Sequence, residues 1–102
     1  MKEELAVLAI ANELPLTAAI GQVCRANTTS HARDLLLAAI SVATQIDANS
    51  AGLSNSDPGR LLGQYKAVVA LTADVIALRA STQTCADLIA LWDKTGDTLF
   101  AS

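Results

Sequence analysis

The sequence predicts an all-α protein, a small helical bundle with a central antiparallel helical hairpin. Three observations lead there. Ala and Leu make up about a third of the 102 residues, the composition of a helical chain. Aromatic residues are 3% of the total, too few strand formers for a β-sandwich. Apolar residues recur at three- and four-residue steps, in segments parted by Pro, Gly and hydroxyl-rich breaks. With 52% hydrophobic and 17% charged residues the chain is not disordered, and its length gives one core.

The first helix is expected from about Lys2 to Asn12, with Leu5, Leu8 and Ala11 on one face. Glu3 and Glu4 fall in its first turn, where the helix dipole favours acids. Pro15 interrupts it and fits the first turn of a second helix, in which Leu16, Ala19, Ile20, Val23 and Cys24 share a face. Arg25, Ala26 and Asn27 close that helix, and Thr28, Thr29 and Ser30 offer N-caps for a third. The third helix, about His31 to Ala48, carries a stripe of Ala32, Leu36, Ala39, Ala43 and Ile46, flanked by Leu35 and Val42. Asn49 to Ser56 reads as a loop.

Asp57-Pro58 then supplies an N-cap followed by a first-turn proline, the clearest helix start in the chain. In this fourth helix Leu61, Tyr65, Val68, Thr72 and Val75 form one stripe, while Leu62, Val69 and Ile76 recur every seven residues. That face is wider than one partner helix needs. Ala80 to Thr84 is a break or a weak joint, and Thr84 with Asp87 resembles a capping box. Ala86, Ile89, Ala90 and Trp92 form the last apolar face, and Gly96 is the expected C-cap. Asp97 to Ser102 reads as a tail for Leu99 and Phe100 to pin. The single domain thus divides into N-terminal helices (about 1–28), the hairpin (29–80), and a C-terminal helix and tail (81–102).

Residues that carry chemistry are scarce. Cys24 and Cys85 are far apart in sequence, with no C-x-x-C and one histidine, so no zinc site is expected and both thiols read as small buried hydrophobes. His31 reads as a helix-start residue. No serine stands in a G-x-S-x-G turn, and Asp57-Pro58-Gly59-Arg60 lacks the lysine of a phosphate loop. Asp34, Asp47 and Asp74 fall on polar faces as solvated charges. The expectation is a non-enzyme with no catalytic residues, no metal and no cofactor.

The balance of 7 Lys+Arg against 10 Asp+Glu, a net −3, argues against tight nucleic-acid binding by a monomer. An oligomer can still repeat a few basic residues on one rim. Lys2, Arg25, His31 and Arg33 are the candidates, the last three around the turn between the second and third helices. The acids after Met1 are the wrong flank for a secretory signal, and no apolar run approaches the roughly 20 residues of a membrane span. A mean hydropathy of +0.39, with Ala38, Ala43, Ala67, Ala70, Ala73 and Ala77 beside the stripes, points to self-association.

One pattern is more specific. The stretch A-A-I-S-V-A-T-Q-I-D, ending at Asp47, is followed by a polar loop and then by D-P-G-R-L-L-G-Q-Y-K-A-V-V-A-L-T-A-D-V-I-A-L-R-A over Asp57 to Ala80. A helix ending in A-x-x-I-D, a polar loop and a helix with L-x-x-Y-x-A-V-x-x-L resembles the small terminase subunits of actinobacterial phages and prophages, over about residues 32–80. The resemblance implies a DNA-packaging initiator, a homo-oligomeric ring that binds viral double-stranded DNA and engages the large terminase subunit in the cytoplasm of a bacterial host. It would set Leu36, Ala39, Leu62, Tyr65, Val69 and Ile76 at packed positions between subunits, with DNA on Lys2, Arg25, His31 and Arg33 or in the lumen. The chain departs from the family in its negative charge and in lacking a clear helix-turn-helix consensus. Two rivals remain open from the residues: a helical adaptor that touches only proteins, and a bundle with an apolar ligand pocket.

Overall fold

The computed structural model describes the backbone of residues 1–50, 58–78 and 83–100 and the side chains of 1–47, 63–78 and 83–100. Among these residues there are five α-helices and no β-strand: α1 (Lys2–Ala6), prolonged by a π-helical turn (Val7–Ala11), α2 (Leu16–Ala26), α3 (Ala32–Ser50), α4 (Pro58–Leu78) and α5 (Cys85–Thr95). The chain is all-α, as its composition requires.

The π turn corrects the expected face of the first helix. Its wider loop lets the Asn12 N–H donate to the Val7 carbonyl at 2.9 Å, five residues back. Side chains after Ala6 are rotated, so Leu5 and Ala9 are buried while Ala11 is exposed. Glu13, in the left-handed region at φ 56, ends the segment, and extended Pro15 caps α2.

Every other helix touches α2. Its Leu16, Ala19, Ile20, Gly21, Val23 and Cys24 are all buried, two successive turns' worth of apolar face with neighbours on several sides. The second half of α3 lies against the first half of α4, the arrangement of the expected antiparallel hairpin. α3 runs to Ser50, beyond the expected end at Ala48. The rest of the expected loop, the Asp57 cap and the break from Ala80 to Thr82 lie outside the described residues.

Both hairpin stripes are rotated from their expected positions. In α3 the core takes Ala32, Leu35, Ala38, Ala39, Val42 and Ile46, so the supposed flankers Leu35 and Val42 are its centre and Leu36 and Ala43 its edge. In α4 the core takes Ala67, Leu71 and Val75 with Gln64, whereas Tyr65, Val69 and Ile76 face outward.

A backbone clasp joins the start of α5 to the α2–α3 turn. The Cys85 N–H donates to the Ser30 carbonyl (2.8 Å), the Ala86 N–H to that of Thr28 (3.1 Å) and the Ala32 N–H to that of Gln83 (2.8 Å). The Ser30 and Thr28 carbonyls satisfy the first two orphan N–H groups of α5, and the Gln83 carbonyl satisfies that of Ala32 at the start of α3. The expected capping box satisfies another: Thr84 Oγ1 accepts from the Asp87 N–H, and Asp87 Oδ2 accepts from the Thr84 N–H at 2.9 Å. The α3 cap is His31 rather than a hydroxyl, its Nδ1 accepting the Arg33 N–H at 3.3 Å.

Beyond α5, Gly96 adopts the left-handed conformation at φ 70 and turns the chain back, as its position predicts. Phe100, 1% exposed, stacks on Trp92 with ring centroids 4.8 Å apart, while Leu99 stays largely exposed. The Phe100 carbonyl lies against Gly21 and accepts from Arg25 Nη1 at 3.0 Å. A Cβ on Gly21 would collide with that backbone carbonyl and would stand 2.8 Å from Arg25 Nη1. Gly21→Ala is therefore expected to lift the tail, costing about 1–3 kcal/mol in urea unfolding, with a red-shifted Trp92 emission. An unchanged midpoint and spectrum would show that the tail does not rest on α2.

Candidate functional site

Among the described residues, five of the seven large exposed apolar side chains lie on the paired helices, the other two being Val7 and Leu99. On α4, Tyr65 (76% exposed), Val69 (61%) and Ile76 (67%) follow four- and seven-residue spacing and so share one side of the helix. On α3, Leu37 (58%) and Ile40 (42%), three residues apart, form the neighbouring side. A groove of about 430 Å³ runs between them, lined by Ile40, Ala43, Thr44 and Asp47 from α3 and by Gln64, Tyr65, Val68 and Val69 from α4. The groove walls are apolar, with the Asp47 carboxylate and the Gln64 amide as polar markers.

Of the six residues expected between subunits, Tyr65, Val69 and Ile76 are on this face. Ala39 is not available to a partner: it is fully buried in the chain's own core, because α3 turns its Leu35–Ala39–Val42 side inward. Leu36 is half-buried against that core, and the Leu62 side chain lies outside the described residues. Leu37 and Ile40 escaped the sequence reading, although the run Leu35-Leu36-Leu37 carried a signal. Three consecutive leucines spread around a helix, so one of them must leave the core.

The basic candidates lie around the α2–α3 turn, but the Arg25 guanidinium is turned back over Gly21 to the Phe100 carbonyl of the tail. Arg25 and Arg33 flank the α2–α3 turn, and both residues are exposed. Asn27 Nδ2 donates to Glu4 Oε2 at 3.1 Å, drawing the start of α1, with exposed Lys2, to the same end. His31 is half-buried, with Nδ1 used in the α3 cap and its backbone bridged to Thr84. Glu3, Glu4 and Asp34 are interspersed there, so this end carries acids and bases together. Among the described residues no cluster of His, Cys, Asp and Glu could hold a metal ion, and no helix is long and apolar enough to cross a membrane.

The chain matches no family model, no curated protein and no solved structure.

Asp74 is not the solvated charge its sequence context suggests. Trp92 Nε1 donates to its Oδ2 at 2.9 Å, tying α5 to α4. Burial lifts the Asp74 carboxyl above the usual carboxylate value, the indole hydrogen bond opposing and Asp97 adding to the rise. A folded-state value above the unfolded one means that the native protein holds this proton more tightly. The resulting stabilisation is complete below the unfolded value of 3.8 and fades as pH rises through the folded one. Relative to Asp74→Asn, wild type should gain stability as pH is lowered from neutrality toward that range. A pH-independent difference in thermal midpoint would refute the assignment.

Which side of α4 is core can be tested separately, in dilute protein. Leu71→Ala should cost about 2–5 kcal/mol in urea unfolding. Tyr65→Ser and Ile76→Ser should change it by no more than about 0.5 kcal/mol. Equal losses at all three positions would contradict the outward placement of Tyr65 and Ile76.

Proposed function

We propose that this chain is a non-enzymatic assembly subunit that works as a homo-oligomer, with copies joined through the α3–α4 face. The reading is carried by the exposure of Tyr65, Val69 and Ile76 along one side of α4, beside Leu37 and Ile40 of α3. Large side chains at such spacing lose apolar contact with water when a like helix covers them, at about 25 cal/mol per Å² buried. A second copy is the occupant that supplies a matching apolar stripe. The groove lets the partner's side chains enter between the helices rather than rest on a flat surface.

In its more specific form the assembly is a DNA-packaging initiator of the small terminase kind: a ring that binds viral double-stranded DNA and passes it to the large terminase subunit. The support is the resemblance over residues 32–80 and the exposure of Lys2 and Arg33, on segments that the Asn27–Glu4 hydrogen bond draws toward one end of the bundle, where a ring would repeat each of them. A second reading, an adaptor that binds only proteins, is favoured by Glu3, Glu4 and Asp34 at that same end, since they offset the basic residues.

Native mass spectrometry at moderate salt tests the assembly, with a closed species of on the order of eight or more copies expected for the ring. Val69→Asp and Ile76→Asp should release monomers of unchanged helical content. A wild-type monomer at micromolar concentration would reject the proposal. Duplex-DNA titration then separates the two forms. The terminase form binds with a steep salt dependence that Arg33→Ala reduces, whereas an oligomer without DNA affinity at low salt leaves the adaptor.

A further inference from the structure

We propose that Cys24 and Cys85 are a disulfide-forming pair, which a small disulfide oxidant converts into a covalent bolt between the last turn of α2 and the first residue of α5. They are the chain's 2 cysteines, 61 residues apart, and both are free thiols in the core at 0% exposure. The Cys24 thiol donates to the Cys85 carbonyl at 3.3 Å, which sets its sulfur directly against the Cys85 residue.

This meeting is built by the backbone. Cys85 is held by its own N–H on the Ser30 carbonyl, and its neighbour Ala86 by the Thr28 carbonyl. Cys24 is held at the end of α2, where its carbonyl accepts from the Asn27 N–H at 3.2 Å. The two cysteines therefore meet from anchored backbone positions, as a bond with narrow geometric tolerance requires.

The two thiols are also chemically unequal. Cys85 is the first helical residue after the Thr84 cap, where the positive end of α5 favours a thiolate. The neighbouring Cys24 side chain acts in the same direction and lowers Cys85 despite its burial. The Cys85 side chain, with burial second, pushes the Cys24 thiol up. Cys85 is thus the attacking sulfur. Once local opening at α5 admits oxidised glutathione, the Cys85 thiolate attacks one sulfur of it and expels a glutathione thiolate. Cys24 then loses its proton to solvent and attacks the Cys85 sulfur of the mixed disulfide, expelling the second glutathione. The protein gives up two thiol protons and two electrons, and one oxidised glutathione becomes two reduced ones.

The pairing does not depend on the proposed assembly and is tested on the wild-type chain. Purified protein is incubated with oxidised glutathione without denaturant and its intact mass is measured. The expected product is a monomer lighter by about 2 Da, from which digestion releases the Cys24 and Cys85 peptides linked. Because the bond closes a long loop of the unfolded chain, the thermal midpoint should rise by more than about 5 °C and return on addition of dithiothreitol. Thiols that stay free, a glutathione adduct that persists, cross-links between chains, or an oxidised form with a lower midpoint would each overturn the proposal.

Discussion

The burial of α2 is the constraint on which the rest of this small protein depends. A chain this short buries a modest share of its surface, so one element must serve several partners at once. α2 does so with one amphipathic face, on which Leu16, Ala19, Ile20, Val23 and Cys24 are all at 5% exposure or less. Burying each of its large aliphatic side chains is worth about 1.5–3 kcal/mol. Glycine at position 21 extends the packed surface to the side that the tail crosses. The backbone of Phe100 rests there in a space that no β-carbon could share. The hairpin of α3 and α4, the longest elements, is arranged around this short helix.

The sequence was most legible where the chemistry is local. Pro58 opens α4, Thr84 and Asp87 form their reciprocal cap, and Gly96 takes the left-handed turn, each because the residue itself satisfies or frees a neighbouring backbone group. Helix existence was legible for the same reason. Helix rotation was not. In α3 and α4 alanines alternate with leucine and valine on nearly every side, and alanine fits a core or a surface equally well. Hydropathy then leaves the inward direction to be set by what α1, α2 and α5 offer. Tyr65, Val69 and Ile76 were assigned to packing between subunits and are exposed, but Tyr65 was read on one stripe with Val75, which belongs to the core. Ala39, assigned to a partner, belongs to the chain's own interior.

Long-range features lay beyond the pattern for another reason. Nothing near Cys24 announces Cys85, and nothing near Asp74 announces the Trp92 indole. Each pair meets because the hairpin and the clasp fold distant segments together. The candidate surface combines both kinds of information. Its residues were legible as an excess of apolar side chains over what one partner helix needs, and the structure supplies the side on which that excess emerges. The polar end of the bundle is the converse case. Its basic residues were legible one by one, and folding sets acids from α1 and α3 among them.

The backbone clasp also has an electrostatic consequence. By pairing His31 with Thr84 it places the first turns of α3 and α5 side by side, so two helix termini of like partial charge, each equivalent to roughly half a proton, share one corner of the bundle. Such ends repel unless negative charge lies near. Both first turns carry it, Asp34 in α3 and Asp87 in α5, where each carboxylate offsets its own helix end and reduces the field at the other. Asp87, conspicuous as half of a capping box, and Asp34, an ordinary exposed acid by its sequence, thus act together as the counter-charges of a junction that neither helix would form alone.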